Sequence, residues 1–298
     1  MTALVFPGQG SQFVGMSKDF YENFNSAREI FDKVENSTNI NIKDIIFENR
    51  DNLLDITKYT QLSIFTASMA IFEVFKELYG KTDLFLNINY VLGHSLGEYS
   101  ALVASSAISL EDCSKLLKIR GELMQDAYPE NQSGMAAVLG LNCKDIELII
   151  RNFSLNIEVA NDNTPEQVVI SGIIEDIDKA KEVLIQNGAK KLVYLNVSAG
   201  FHSRLMKIAE EKMKYKLSSI NFVNSIYPIV SNYSAGATKD KNVIFNNLSK
   251  QMSNQVKWTE SIKLLENFNE KNIIEIGPGN ILTKLIRRIS SRFTLHNF

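Results

Sequence analysis

Ser95 lies between two glycines in residues 93–97, Gly-His-Ser-Leu-Gly, which match the G-x-S-x-G pattern of a nucleophile elbow. In such an elbow a strand turns sharply into a helix, and the glycines leave room for the strained turn. The apolar residues 90–92 and the helix-compatible residues 98–105 fit that setting. The N–H of Leu96 would then point to where an oxyanion forms during acyl transfer. A chance match is the alternative, and the motif alone does not separate hydrolases from acyltransferases.

A second glycine-rich segment, residues 7–12 (Pro-Gly-Gln-Gly-Ser-Gln), follows the first predicted strand, and we expect it to open a helix. A dinucleotide-binding fingerprint would need a third glycine where Phe13 stands, and a phosphate-binding Walker loop would need a Gly-Lys-Ser/Thr sequence. Two uses therefore remain for Gly8 and Gly10. The turn either supplies a second N–H donor to an oxyanion or is purely structural.

A serine nucleophile needs a base to take its proton, and the chain contains three histidines. His94 lies inside the elbow, and His296 lies near the C-terminus, where we expect the chain to fray. By elimination His202 is the candidate base, because a neutral imidazole near pH 7 suits this proton transfer. A lone histidine is more often structural, and it is the elbow serine that favours the catalytic interpretation.

These motifs are much more specific together than singly. Five of them occur in order along nearly the whole chain: residues 8–12, residues 93–98, Arg120, residues 201–203 and residues 275–279. The set resembles the malonyl-CoA:acyl carrier protein transacylases, a family of fatty acid synthesis that also occurs as acyltransferase domains of polyketide synthases. The resemblance implies a hydrolase-like large domain that carries a ferredoxin-like small domain.

The resemblance also implies roles for individual residues. Ser95 and His202 would form a catalytic dyad without a carboxylate, in which the backbone carbonyl of Gln251 orients the histidine. The backbone N–H groups of Gln9 and Leu96 match the oxyanion hole of the family. The other residues that we expect to line the substrate site are Arg120, Met124, Phe201, Asn161 and Gln61.

Arg120 matches the arginine that pairs with the free carboxylate of the substrate. It lies on a predicted helix at residues 110–126, and its apolar neighbours are consistent with burial. A buried guanidinium needs a partner, and a carboxylate is the natural one; a solvated surface charge is the alternative. An acetyl group would leave the cation unpaired, at a cost on the order of 3–5 kcal/mol. Phe201 resembles the bulky residue that accompanies preference for malonyl over methylmalonyl.

By resemblance, the reaction is ping-pong transfer of malonyl from malonyl-CoA, through a malonyl-serine ester, to the phosphopantetheine thiol of an acyl carrier protein. We expect it to supply fatty acid synthesis, with the coenzyme A thioester as substrate. No metal or bound cofactor is expected, since the thioester is already activated. The alternatives are a discrete acyltransferase of a polyketide synthase, a serine thioesterase or esterase, and a noncatalytic protein that binds the carrier.

The elements that must position these residues alternate between short apolar strands and longer helices, which indicates an α/β fold with a parallel sheet. The predicted strands are residues 3–6, 90–92, 227–230 and 273–276, and the predicted helices are residues 26–35, 61–78 and 110–126.

The middle of the chain has a different order of elements, β-α-β-β-α-β, which is typical of a ferredoxin-like unit. Its predicted elements are residues 135–141, 144–153, 157–160, 167–171, 177–187 and 191–197, with a turn at residues 161–165. We therefore predict a large hydrolase-like domain at residues 1–131 and 199–298, and a small domain inserted at residues 132–198.

Composition narrows the classes of partner. The 32 basic and 34 acidic side chains give a net charge of −2, which argues against a general attraction to nucleic acid or to a membrane.

The N-terminus lacks the pattern of a signal peptide, and no apolar stretch reaches the roughly 20 residues that span a bilayer. Cys113 and Cys143 have no metal-ligand or redox spacing, and we expect them to be reduced and buried. A cytoplasmic location and a monomeric state are the expectations.

An acidic carrier protein would need a basic docking surface in spite of the net charge. The candidates near the C-terminus are Lys284, Arg287, Arg288 and Arg292. The candidates near the predicted base are Lys190, Lys191, Arg204 and Lys207. Ordinary solvated faces are the alternative for each of these residues.

Overall fold

The computed structural model describes residues 1–129 and 131–298. The elements of the first part are β1 (Thr2–Phe6), α1 (Lys18–Asn23), α2 (Asn25–Thr38), α3 (Ile42–Phe47), α4 (Thr57–Tyr79), α5 (Asp83–Leu86), β2 (Ile88–Gly93), α6 (Gly97–Ala104) and α7 (Leu110–Gln125). Those of the middle part are β3 (Ser133–Leu139), α8 (Cys143–Asn152), β4 (Ile157–Thr164), β5 (Gln167–Ile173), α9 (Ile174–Gln186) and β6 (Lys191–Tyr194). Those of the last part are α10 (Lys207–Leu217), β7 (Ile229–Val230), β8 (Ala237–Thr238), α11 (Lys241–Leu248), α12 (Trp258–Asn267), β9 (Asn272–Glu275), α13 (Ile281–Ile289) and β10 (Thr294–Asn297).

The larger sheet has the strand order β10-β9-β1-β2-β7-β8. Its strands are parallel, except that β8 runs antiparallel to β7. The prediction of an α/β fold with a mostly parallel sheet is therefore confirmed. β1 is central, and all of its residues are buried. Because Phe6 pairs with Gly93 at the carboxyl ends of β1 and β2, the two glycine-rich turns leave the sheet side by side.

The smaller sheet has the order β4-β5-β3-β6, and all of its pairs are antiparallel. With α8 and α9 between the strands, this is the ferredoxin-like arrangement that the sequence predicts. Its core is formed by aliphatic side chains from one face of the sheet and from both helices, including Ala136, Val138, Ile146, Ile170, Ile177 and Leu184. The domain boundaries at 131/132 and 198/199 stay predictions.

Backbone hydrogen bonds join the smaller sheet to the C-terminal part of the chain. The Val256 N–H donates to the Ala160 carbonyl at 2.8 Å, and the Asp162 N–H donates to the Val256 carbonyl at 3.0 Å. The Asp162 carboxylate also accepts from the Thr259 hydroxyl at 2.9 Å. The predicted turn at 161–165 is therefore wrong over most of its length. Pairing with β5, together with these buried partners, extends β4 through a sequence whose residue types favour turns.

Helix α4 packs against α2 and α7. It begins at Thr57, before the predicted start, and is buried on nearly all sides as far as Phe75. Close contact with α7 depends on Gly121, where an added Cβ would lie 2.7 Å from the Lys58 Cα. This contact sets the position of Arg120. None of the helices within residues 1–129 and 131–298 is both long and apolar enough to cross a membrane.

Several predicted bounds were wrong at the ends of elements. The glycine-rich turn after β1 does not open a helix directly, since α1 begins only at Lys18. The expected fraying of the C-terminus was also wrong, because β10 pairs with β9 and the ring of Phe298 packs 5.1 Å from that of Phe75. Of the two cysteines, Cys113 is buried as expected, whereas Cys143 is only partly buried.

Candidate active site

The elbow holds Ser95 in a left-handed backbone conformation, with φ of 51°. This conformation is costly for a residue with a side chain, and it is characteristic of functional sites. Gly93 and Gly97 are required around it, because an added Cβ on Gly93 would overlap the backbone of Gly97 and one on Gly97 would overlap the Phe6 carbonyl. The Asn232 side chain braces the turn, since it accepts from the Ser95 N–H and donates to the Gly93 carbonyl, both at 2.7 Å.

His202 lies within hydrogen-bond distance of the serine. Its Nε2 is 2.8 Å from the Ser95 Oγ, and its Nδ1 is 3.0 Å from the Gln251 carbonyl and 3.2 Å from the Asn254 carbonyl. Two acceptors at Nδ1 place the proton there, which leaves the Nε2 lone pair directed at the serine hydroxyl. Burial, followed by the nearby Arg120 charge, lowers the pKa of His202 to about 3. The imidazole is therefore neutral and can accept the serine proton.

Arg120 is fully buried beside the same serine. Its Nη1 donates to the Gln61 Oε1 at 2.5 Å, and its Nη2 donates to the Gln251 Oε1 at 3.0 Å and to the Ser95 Oγ at 3.2 Å. The Arg120 Cζ lies over the Tyr99 ring, 5.3 Å from its centre. Within the described residues, no carboxylate oxygen comes within 4.0 Å of it. The cation is therefore held by neutral acceptors and is available to pair with an anion.

A cavity of about 300 Å³ opens in front of these three residues. The predicted site residues that line it are Gln9, Ser95, Leu96, Arg120, Met124, Asn161, Phe201 and His202. Two predicted residues do not line it. Gln61 contacts Arg120 and the Met124 sulfur from behind the wall, and Gln251 contacts both Arg120 and His202 from the side away from the cavity.

Two backbone N–H groups of the cavity wall are free to bind an oxyanion. In the part of the chain that the structure describes, the N–H groups of Gln9 and Leu96 have no hydrogen-bond acceptor. The two residues follow the neighbouring carboxyl ends of β1 and β2, so both line the cavity beside Ser95. Donors that are already fixed in place stabilise a developing negative charge without reorganisation.

Sequence reasoning missed several residues that support this site. Asn232 holds the elbow, Asn254 holds the histidine, and Glu98 holds the Gln251 side chain. Glu98 belongs to the motif at residues 93–98 but received no role there, although it is the only acidic residue of α6 and the rest of that helix is apolar or small. The other two lie in irregular segments without a recognisable pattern. The imidazole of His94, whose Nε2 lies 2.8 Å from the Asn163 Oδ1, links the elbow to β4.

Comparison with known proteins places this chain among acyltransferases. A model of the acyl transferase domain matches residues 3–292. The malonyl CoA-acyl carrier protein transacylase of Bacillus subtilis (strain 168) is 38% identical over 293 residues, which cover 97% of this chain and 90% of the relative. The enzyme of the same name from Staphylococcus aureus (strain MRSA252) is 38% identical over 292 residues, which cover 97% of this chain and 92% of the relative.

Solved structures agree with this placement. The acyl-carrier-protein-S-malonyltransferase of Bartonella henselae superposes with a TM-score of 0.94 at 38% identity, over 99% of this chain and 94% of that chain. A malonyl-transacylase in complex with its type II PKS acyl-carrier protein superposes with a TM-score of 0.94 at 32% identity, over 100% of this chain and 95% of that chain.

Proposed function

This chain belongs to the acyl transferase domain family, and we propose that it transfers malonyl groups from malonyl-CoA to the phosphopantetheine thiol of an acyl carrier protein. The observation that carries the proposal is the position of Arg120, a buried cation 3.2 Å from the candidate nucleophile with no acidic partner of its own among the described residues. A hydrolase of simple esters has no use for such a charge. An enzyme whose acyl group ends in a carboxylate can pair that carboxylate with this charge.

The reaction proceeds in two half-reactions at Ser95. In the first, His202 Nε2 takes the proton of the Ser95 hydroxyl, and Oγ attacks the thioester carbonyl carbon while the N–H groups of Gln9 and Leu96 hold the oxyanion. The carbon–sulfur bond breaks, and coenzyme A leaves as a thiol with the proton from His202. In the second, the carrier thiol gives its proton to His202 and attacks the ester, and the proton returns to Ser95 as the carbon–oxygen bond breaks.

The substrate itself improves the base. Burial is the main cause of the low pKa of His202, and the positive charge of Arg120 is the second. When the malonyl carboxylate pairs with Arg120, that charge is neutralised and the pKa of His202 rises towards its usual range. Proton transfer from Ser95 then becomes easier once the correct acyl group is bound.

The contacts of Arg120 reduce the selectivity that the sequence alone suggests. Gln61, Gln251 and Ser95 already accept from the guanidinium, so an acetyl group does not leave it wholly unpaired. The difference between the two acyl groups is then about one hydrogen bond to a charged group, on the order of 1.5–3 kcal/mol. This corresponds to roughly 10- to 150-fold preference for malonyl.

Three of the eight basic candidates form ion pairs within this chain, which supports a carrier surface built from the other five. Arg204, Lys207 and Arg292 pair with Glu158, Glu210 and Glu266 at 2.6, 2.7 and 3.1 Å. The remaining candidates are Lys190, Lys191, Lys284, Arg287 and Arg288. Two of these from distant parts of the chain, Lys190 and Arg288, line one surface cavity of about 480 Å³.

We propose fatty acid synthesis as the pathway, by resemblance to the family. A carrier of polyketide synthesis is the second candidate, because one similar structure is a malonyl-transacylase bound to a type II PKS carrier. Transfer from malonyl-CoA to carriers of each class, in parallel, separates the two.

Intact-mass and peptide mass spectrometry after brief mixing with malonyl-CoA tests the proposed reaction. We expect one malonyl group per chain, located on Ser95, and its loss when a holo carrier protein is added. Ser95→Ala should carry none. Stoichiometric malonyl on Ser95→Ala, or rapid release to water in the absence of a carrier, would contradict the proposal.

A further inference from the structure

Among the residues that the structure describes, Gln251 alone forms hydrogen bonds with the nucleophile, the base and the cation. It is almost fully buried. Its backbone carbonyl accepts from His202 Nδ1, while its side-chain Oε1 accepts from Arg120. Its Nε2 donates to the Ser95 carbonyl at 2.9 Å and to the Glu98 Oε2 at 2.7 Å. Both hydrogens of the amide are therefore used.

Glu98 and the Ser95 carbonyl together fix which way this amide points. A backbone carbonyl only accepts hydrogen bonds, and the Glu98 Oε2 also accepts from the Asn232 N–H. The amide NH₂ therefore faces these two acceptors, and the amide oxygen faces Arg120. In the flipped orientation the amide oxygen would face the carboxylate, and the NH₂ would face the guanidinium. Both contacts would then be repulsive.

Glu98 itself is held at a cost. It is buried on α6, one residue after the second glycine of the elbow. Burial raises the pKa of Glu98 to about 7, although hydrogen bonds from Gln251 and Asn232 and the charge of Arg120 oppose the shift. The Asn232 N–H that donates to Glu98 at 3.1 Å belongs to the residue that braces Ser95. Because burial of a carboxylate is costly, we expect Glu98 to have a specific role at this position.

The position of Glu98 behind the Gln251 amide indicates this role. A carboxylate in direct contact with Arg120 would form an ion pair and compete with the substrate. Glu98 instead acts through one intervening amide, so the carboxylate, when ionised, favours the cationic Arg120 while the guanidinium remains available. We propose that Glu98 is a positioning residue for substrate selection, whose carboxylate orients the Gln251 amide so that Arg120 faces the acyl cavity.

The proposal rests on the proposed function, and its test measures kcat and KM for malonyl-CoA and acetyl-CoA with the full chain and its carrier protein. For Glu98→Gln we expect malonyl kcat/KM to fall roughly 10- to 100-fold, mainly through KM, with a much smaller effect on acetyl. The matched control is Glu275→Gln, a buried acid that caps α13 and does not line the cavity. It should lower the melting temperature without changing the malonyl-to-acetyl ratio.

Gln251→Met provides the second arm, since it keeps the backbone carbonyl and removes the amide. We expect the same loss of the malonyl-to-acetyl ratio, and no further loss when Glu98→Gln is added, because the two residues act in series. Additive losses, or an unchanged ratio in either folded variant, would overturn the proposal. If Glu98→Gln does not fold, the ratio in Gln251→Met decides alone. Failure of the wild-type chain to transfer malonyl would instead contradict the proposed function.

Discussion

Two sides of the cavity in front of Ser95 are held in place by different kinds of group. On the side of the base, backbone groups make the contacts: the carbonyls of Gln251 and Asn254 hold the imidazole of His202. On the side of the cation, side chains make the contacts, because the amide oxygens of Gln61 and Gln251 hold Arg120. The base carries no charge in the free enzyme, whereas the cation is buried with its charge.

This difference separates the groups that support proton transfer from those that support the choice of acyl group. Backbone carbonyls remain when a side chain is replaced, so the histidine is held independently of side-chain identity. The orientation of Arg120 depends on two glutamine side chains, and through one of them on Glu98. Substitutions behind Arg120 should therefore alter the choice of acyl group while the proton transfer between Ser95 and His202 continues.

Of the two tests that follow directly from this comparison, Gln61→Met is expected to give the larger effect. It removes the acceptor 2.5 Å from the Arg120 Nη1 and leaves that N–H unpaired in a buried site. We expect malonyl kcat/KM to fall roughly 10- to 100-fold, with acetyl transfer nearly unchanged. Steady-state kinetics with both thioesters checks this, with Gln186→Met on an exposed position of α9 as the matched control. Equal losses with both thioesters would show that the two sides are not separable.

The smallest effect is expected in the pH dependence of the base. Because the pKa of His202 is about 3 in the free enzyme, the imidazole stays deprotonated between pH 5.5 and 8. An ordinary histidine, with a pKa near 6.5, would lose about 90% of its deprotonated form at pH 5.5. The rate constant for sulfonylation of Ser95 by phenylmethylsulfonyl fluoride, a neutral probe, should change less than about twofold across this range. A roughly tenfold fall towards pH 5.5 would mean that His202 titrates normally.

The sequence predicted most of the fold, because the relevant signals are local. Alternating apolar strands and amphipathic helices indicated the α/β sheet, and the β-α-β-β-α-β order indicated the smaller sheet. The predictions failed where a distant partner decides the conformation. Residues 161–164 have turn-forming side chains, yet β4 continues through them, because they pair with β5 and are also bonded to the distant Val256 and Thr259. Likewise, the C-terminal residues become a strand because β9 lies beside them.

The candidate site also contains some residues that could be predicted from the sequence and others that could not. Ser95 could be proposed from its motif, His202 by elimination and Arg120 from the family resemblance, and the structure brings the three to one cavity. Their supports could not, because Asn232 and Asn254 reach the site from irregular segments far along the chain. The contacts of Arg120 were also beyond the sequence, which suggested a cation without partners rather than one held by two amides.

Selection of a free carboxylate by Arg120, beside Ser95, is the central feature of the proposed function. The direct measurement is kcat/KM for malonyl-CoA and acetyl-CoA in the wild type and in Arg120→Ala, with Arg50→Ala at an exposed position as the control. We predict that Arg120→Ala loses at least about 100-fold on malonyl and that the malonyl-to-acetyl ratio falls roughly 10- to 150-fold. Equal losses on the two thioesters, with the ratio unchanged, would contradict the account.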